Sequence, residues 1–357
     1  MNILYGVQTT GNGHIIRSKA MIQALQQRGH DVHALLSGCT QKKILDVTAF
    51  HSVERKNGLT FVVENGRIRY LKTAFQLNFL SFYKDITTFD GGCYDLVITD
   101  YEPITARIAT RNKIPSIGIG HLYAFQHRVP IARSNPFPKL IMNHYAPAKY
   151  PLGLHWHHFD QPILPPTIPE DILHCSPGNR EKDHYLVYLP FEDVGEVVTT
   201  LAKLPQYTFR IYANVERPRL EGRITILPFS RDGFIKDLAA CRGVICNAGF
   251  SFISEALHLG KKILTKAVVG QLEQQSNALA LEHLQLGTAV TAITPAIIER
   301  WMSTSAPSPL NFPNVIPLLV DWITSESYDD YNELIAQAWG ETSICQADLQ
   351  EAALSGI

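Results

Sequence analysis

Several things are scarce in this chain of 357 residues, and each scarcity narrows what it does. Neither sign of charge dominates: 32 Lys and Arg face 33 Asp and Glu, and a formal net charge of −1 provides no basic field to gather nucleic acid. The six cysteines (39, 93, 175, 241, 246 and 345) form no CxxC pair and no metal-ligand spacing. That argues against a disulfide framework and suits a reducing compartment. No run approaches the ~20 apolar residues of a membrane helix. The opening "MNILYGVQTTGNGH" has neither the charged start nor the long apolar stretch of a secretion signal. The expectation is a soluble, cytoplasmic protein, with peripheral contact at the inner face of a membrane left open. No internal repeat is visible.

What is present is size and apolar mass. Hydrophobic residues make up 45% of the chain and charged residues 18%. A chain this long exceeds one ordinary core, so two domains are expected. "NILYGV" reads as a buried strand, "QTTGNGHI" as a glycine-bearing loop and "IRSKAMIQALQQRG" as a helix stopped by Gly29, with "DVHALLSG" as the next strand. Such a β-α-β unit implies parallel strands. "YDLVITDYEP" is a strand ending at Asp100, and "IPSIGIG" delivers His121 to a strand tip. Residues 144–180 are proline-rich and read as a connector or irregular edge. A second series of alternating strands and helices starts at residue 184.

These patterns predict an α/β protein of two facing, doubly wound domains with a cleft between them. Residues 1–165 form the first and 184–320 the second; 166–183 link them, and 321–357 are helices that cross back toward the first domain. In such sheets ligands collect at the carboxyl ends of strands, so the loops after Val7, Ile98, Ile119, Leu227 and Ile245 carry most of the interest.

Two consecutive strand-to-helix junctions stand out. In "NAGFSFISEA" the small residues Asn247, Ala248, Gly249 and Ser251, with Phe250 opening the helix, allow close approach to backbone N–H groups at a helix N-terminus, a place for a diphosphate. Glu255, one turn on, is placed to accept ribose hydroxyls. The plainer alternative is a helix capped by Ser251 with Glu255 solvated. The next junction, "VGQLEQQSNA", gathers Gln271, Glu273, Gln274 and Asn277, which offer the donors and acceptors that sugar hydroxyls require.

The stretch "CNAGFSFISEALHLGKKILTKAVVGQLEQQSNA" resembles the nucleotide-binding half of GT-B glycosyltransferases, both of the UDP-glycosyltransferase type and of the type that completes the peptidoglycan lipid precursor. Nearly the whole chain is similar to an uncharacterised bacterial and archaeal group of these. The resemblance implies two Rossmann-like domains and a UDP-sugar donor: the diphosphate held from Asn247 to Ser251, ribose by Glu255, and sugar hydroxyls by Glu273 and Gln274, with Gln271 and Asn277 nearby. By position, "PFSRDGF" resembles the loop that flanks the base, which puts Phe229 and Ser230 there; Phe234 reads as core. Asn247 stands where relatives have a phosphate-binding His, and Glu273 where many have Asp.

The first loop, "TTGNGHIIRS", fails as a dinucleotide fingerprint because Ile16 occupies the third glycine position. It leaves Gly13 and His14 at the cleft. In the GT-B enzymes that the chain resembles, a His in this context is the proposed general base for the acceptor hydroxyl, a task that suits imidazole, whose ordinary pKa is ~6.5. Asp100 is placed to orient it, or else to cap a helix. Arg17, Glu102 and His121 are expected to touch the acceptor, a glycan, glycolipid or small molecule. "HWHHF" (155–159) is too crowded for one tetrahedral metal centre and reads as interdomain packing. No metal or other cofactor is implied.

The resemblance and the residues together lead to the expectation of an inverting, UDP-sugar-dependent hexosyltransferase of cell-envelope glycan or glycolipid synthesis. Its rivals are a UDP-N-acetylglucosamine 2-epimerase-like enzyme and a non-catalytic UDP-sugar-binding protein. The aromatics Tyr70, Phe75, Phe79, Phe82 and Tyr83 are expected in a core helix, with a membrane-facing patch as the alternative.

Overall fold

The computed structural model describes residues 1–9, 11–38, 52–60, 62–69, 72–73, 75, 77–132, 144–175, 183–305, 309–328, 331–340 and 342. Tyr70, Cys39 and Cys345 lie outside the described residues.

The first half is built on a seven-stranded parallel sheet in the order β3-β2-β1-β6-β7-β8-β9. Its strands are β1 (Asn2–Gln8), β2 (Asp31–Ser37), β3 (Val53–Lys56), β6 (Leu96–Asp100), β7 (Ser116–Gly120), β8 (Tyr150–Leu154) and β9 (Ile163–Leu164), while β4 (Val63–Glu64) and β5 (Arg67–Ile68) form a separate hairpin. Its helices are α1 (Asn12–Gln27), α2 (Phe79–Thr88), α3 (Pro103–Asn112) and α4 (His121–Ala124). β6 and β7 are buried along their whole length and β1 along all but its first residue, as strands covered on both faces must be.

The short α5 (Glu170–Leu173) follows, and then the second sheet, ordered β12-β13-β11-β10-β14-β15-β16. Its strands are β10 (Tyr185–Tyr188), β11 (Phe209–Ala213), β12 (Arg219–Glu221), β13 (Ile224–Pro228), β14 (Gly243–Asn247), β15 (Lys262–Lys266) and β16 (Thr288–Val290). Only the edge strand β12 runs antiparallel. The helices are α6 (Val194–Leu201), α7 (Arg231–Ala240), α8 (Phe250–His258), α9 (Leu272–His283) and α10 (Pro295–Met302). Then come α11 (Val315–Thr324), which packs on α1 of the first half, and α12 (Asn332–Gly340), whose Trp339 Nε1 donates to Ile163 O at 2.6 Å.

In both sheets the strand order reverses beside the first strand: between β1 and β6, and between β10 and β14. These switch points splay the following helices to opposite faces and open a crevice at the carboxyl edge. His14 in the first turn of α1, Asp100 at the end of β6 and Asn247 at the end of β14 sit at them. One apolar cluster joins the halves, running from Ile3, Tyr5 and Val7 through Trp156 and Phe250 to Val320 and Ile323.

Two expectations are corrected. The segment read as a connector contains β8 and β9. Its Pro151 is tolerated because β9 pairs only with Gly153 and Leu154, so one side of Pro151 has no ladder to feed. The expected core helix around residue 79 is α2, which buries Ile86 but leaves Phe79 (62%), Leu80 (85%) and Tyr83 (68%) exposed, as is Phe75 (90%) before it. No helix among the described residues is long and apolar enough to cross a membrane.

Candidate active site

Asp100 ends β6 in register with Val7 of β1, and α1 starts just beyond β1. His14, Arg17 and Ser18 occupy i, i+3 and i+4 of that helix and so share one face. All three converge on the one carboxylate. His14 Nδ1 lies 2.9 Å from Oδ1, Arg17 Nη2 and Nε donate at 2.5 and 3.1 Å to Oδ1 and Oδ2, and Ser18 Oγ donates to Oδ2 at 3.0 Å. Burial of Asp100 works against its charge, but Arg17 and then His14 outweigh it and hold the carboxyl down to about 2. An ionised Asp100 places the imidazole proton on Nδ1 and leaves the basic lone pair on Nε2. With that proton aimed at Asp100, the 3.3 Å approach of Arg17 Nη2 to Nδ1 is a contact, not a bond.

Arg17, expected to touch the acceptor, is buried, and its Nε and Nη2 are bonded to Asp100. Glu102 was also expected on the acceptor. Fully buried, it caps α3, accepting from Ile104 N (2.8 Å), Thr105 N (2.6 Å), Thr105 Oγ1 (2.7 Å) and Ser37 Oγ (2.6 Å).

His121 is the third residue expected on the acceptor. Its Nδ1 lies 2.8 Å from Leu154 O and its Nε2 2.5 Å from Asn277 Oδ1, while its ring stacks on Phe250 at 3.9 Å and 3°. Asn277 Nδ2 in turn donates to Ala248 O at 2.9 Å. His121 and Asn277, expected on acceptor and donor, form a buried bridge between the halves. Burial pushes the His121 ring down to about 4. Beside it, the "HWHHF" histidines turn inward: Nδ1 of His155, His157 and His158 accepts from the backbone N–H of Trp156, Phe159 and Asp160. Trp156 Nε1 donates across to Ser254 Oγ at 2.9 Å.

In the second half Gly249 is the N-cap of α8 and no side chain caps that helix, so Ser251 is not its cap. The same holds for α1 after Gly11 and α9 after Gln271. By contrast α2, α3, α6, α7, α10 and α11 are closed by Asn78, Glu102, Asp193, Ser230, Thr294 and Asn314. α1, α8 and α9 thus keep open N-termini, as do the one-turn α4 and α5. Two of them meet: a Cβ on Gly13 would lie 2.3 Å from Ser251 Oγ.

Glu255, expected on ribose, is buried and accepts from Arg231 Nη1 at 3.1 and 3.0 Å. Burial raises its pKa and the Arg231 charge opposes the rise. Arg231 also holds Asp171 of α5 through Nε and Nη2 at 2.9 and 2.8 Å. Gln274 Oε1 accepts from Val268 N at 3.0 Å, shaping the loop before α9, and Gln271 Oε1 is out of solvent with no partner among the described residues.

Glu273 differs from these. It is partly buried with no hydrogen bond among the described residues; burial raises its pKa, while the charges of His14 and Arg17 lower it. It belongs to the opposite half, yet the charges of His14, Arg17 and Asp100 all act on it, which puts it in their neighbourhood. Phe229 packs with Tyr188, Tyr212 and Phe234. Sequence reading missed Arg231, Lys266 and Glu192; the available signal was a charged residue at or just beyond a strand's carboxyl end.

The family model described as glycosyl transferase family 1 matches residues 1–305. The chain belongs to that family. No curated protein matches it. Among solved structures it is similar to MurG of Acinetobacter baumannii, at TM-score 0.56 and 15% identity over 90% of this chain and 99% of that one. It is also similar to the Streptomyces sp. SF2575 glycosyltransferase SsfS6 complexed with thymidine diphosphate, at 0.56 and 13% over 90% and 99%. A third is the calicheamicin glycosyltransferase CalG4, at 0.57 and 14% over 99% and 95%. This glycosyltransferase has the GT-B fold of two Rossmann-like domains, and its chemistry is sugar transfer.

Proposed function

We propose that this glycosyltransferase moves a hexose or N-acetylhexosamine from a nucleoside diphosphate sugar to an acceptor hydroxyl, with inversion. His14 Nε2 takes the hydroxyl proton while Asp100 steadies the imidazolium, and the oxygen attacks the anomeric carbon opposite the departing diphosphate. The observation that carries this reading is the His14–Asp100 pair at the switch point. Glu273 and Gln271 are the sugar ligands. The open N-terminus of α8 receives charge developing on the leaving group, so no metal is needed. UDP is the donor nucleotide that the sequence resemblance favours, and the SsfS6 complex makes dTDP the alternative to test against it.

The exposed side chains Phe75, Phe79, Leu80 and Tyr83 seat the first half on a lipid surface, which suits a glycolipid acceptor in envelope synthesis. The deciding experiment is calorimetry with UDP and dTDP, followed by donor turnover with and without EDTA on wild type and His14→Ala. Nucleotide binding in both proteins, with turnover in the wild type alone and indifferent to EDTA, is the expected result. Equal turnover in the variant refutes the base assignment.

A further inference from the structure

Asn247 and Lys266 close β14 and β15 and are partners in the parallel register, side by side at the carboxyl edge of the second sheet. Between them lies a carboxylate. Lys266 Nζ is 2.7 Å from Glu192 Oε2, and Asn247 Nδ2 is 3.3 Å from Glu192 Oε1 and 3.0 Å from Lys266 O. Glu192 comes from the loop after β10, on the other side of the switch point. The β4–β5 hairpin of the first half bonds that loop and the one after β15: Gly66 N donates to Phe191 O at 2.6 Å, and Val269 N, beyond β15, donates to Gly66 O at 2.7 Å. Gly66 has φ +69°, and a Cβ there would lie 2.6 Å from Glu192 Oε1.

An ammonium and an amide N–H that converge on one carboxylate make an anion seat, and it lies where β14 turns into the uncapped α8. A helix N-terminus offers about half a positive charge, too little for a diphosphate. Of the cations at this cleft, Arg17 grips Asp100 through Nη2 and Nε, and Arg231 divides its nitrogens between Glu255 and Asp171. Lys266 holds Glu192 by its single nitrogen, on a loop and not on a strand.

We infer that Lys266 is the counter-cation for the donor diphosphate, and that Glu192 fills its place until the donor displaces it. The inference rests on the donor reading above. Displacement exchanges one anion for another on Lys266 and frees Glu192 to leave with the hairpin.

The test is binding of UDP and dTDP by calorimetry, and of uridine and thymidine by ligand-observed NMR, on wild type, Lys266→Met and Glu192→Gln. Thermal melts confirm that each variant folds. Lys266→Met is expected to weaken the diphosphate by about ten-fold or more and leave the nucleoside unchanged. Glu192→Gln, which removes the competing charge while keeping the shape, is expected to tighten the diphosphate by roughly three-fold or more. Unchanged diphosphate affinity in both variants, or an equal loss for nucleoside and diphosphate in Lys266→Met, overturns the inference and leaves the donor reading standing. Weaker binding in Glu192→Gln overturns the displacement. Wild type that binds no nucleotide overturns both readings.

Discussion

His14 Nδ1 and Asp100 Oδ1 are 2.9 Å apart, although 86 positions separate them in the chain. β1 and β6 lie side by side at the switch point, and the start of one helix therefore faces the end of the neighbouring strand. In the proposed reaction the pair leaves Nε2 as the base. His14→Ala is expected to lower kcat by about 10²- to 10⁴-fold with nucleotide affinity retained. Asp100→Asn, which no longer selects the Nδ1–H tautomer, is expected to lower kcat by about 10²-fold or more. Full activity in Asp100→Asn would sink the orienting role.

Arg17 neutralises a carboxylate with no solvent access. Arg17→Met leaves that charge buried and is expected to cost about 3–5 kcal/mol of stability by chemical denaturation. Adding Asp100→Asn to Arg17→Met should restore part of the loss, because the uncompensated charge goes with it. An additive pair of losses would show that Arg17 acts by packing alone.

Stability should fall with acid in a defined window. His121 and His157 are pushed down to about 4 and His155 further, each first of all by burial. Below about pH 6.5 the unfolded chain takes protons on these rings that the native state refuses until near pH 4. Stability is therefore full above about pH 7 and declines as pH falls from 6.5 toward 4, by on the order of 3 kcal/mol from His121 alone. Melting temperature against pH checks this, and His121→Phe, which still stacks on Phe250, should flatten the slope.

Gly13→Ala is expected to lower kcat/KM by about ten-fold or more, since the added methyl meets Ser251 Oγ and forces apart the two helix starts that flank the proposed reacting groups. Ser251→Gly in the same background should return part of the activity. Steady-state kinetics of the two variants and their double mutant measure the coupling.

Phe79→Ser with Leu80→Ser replaces side chains that are 62% and 85% exposed, so stability should change little. Sedimentation with vesicles of anionic lipid should drop several-fold. Vesicle binding equal to wild type would remove the lipid-facing surface from the proposal.

Much of this molecule was legible along the chain because the signals are local. β1, α1 and β2 followed from a buried apolar run, a helical period and Gly29, whose φ of +83° ends the helix. α8 and α9 were marked by small and polar residues at their starts, and the switch-point rule put His14, Asp100 and Asn247 at the carboxyl edges. β8 and β9 were hidden by prolines that an edge position tolerates.

Partners were a different matter. Glu255 reads the same from sequence whether it waits for a ribose or grips Arg231, 24 positions earlier, and Glu102 reads the same as ligand or cap. His121 meets Asn277 over 156 positions, and Lys266 meets Glu192 over 74. Periodicity and turn chemistry depend on neighbouring residues, so the sequence by itself determined the elements, their order and the edges where chemistry collects. Which charges meet depends on strand register and on how the two halves pack, a balance over the whole core, and only the tertiary structure decided it.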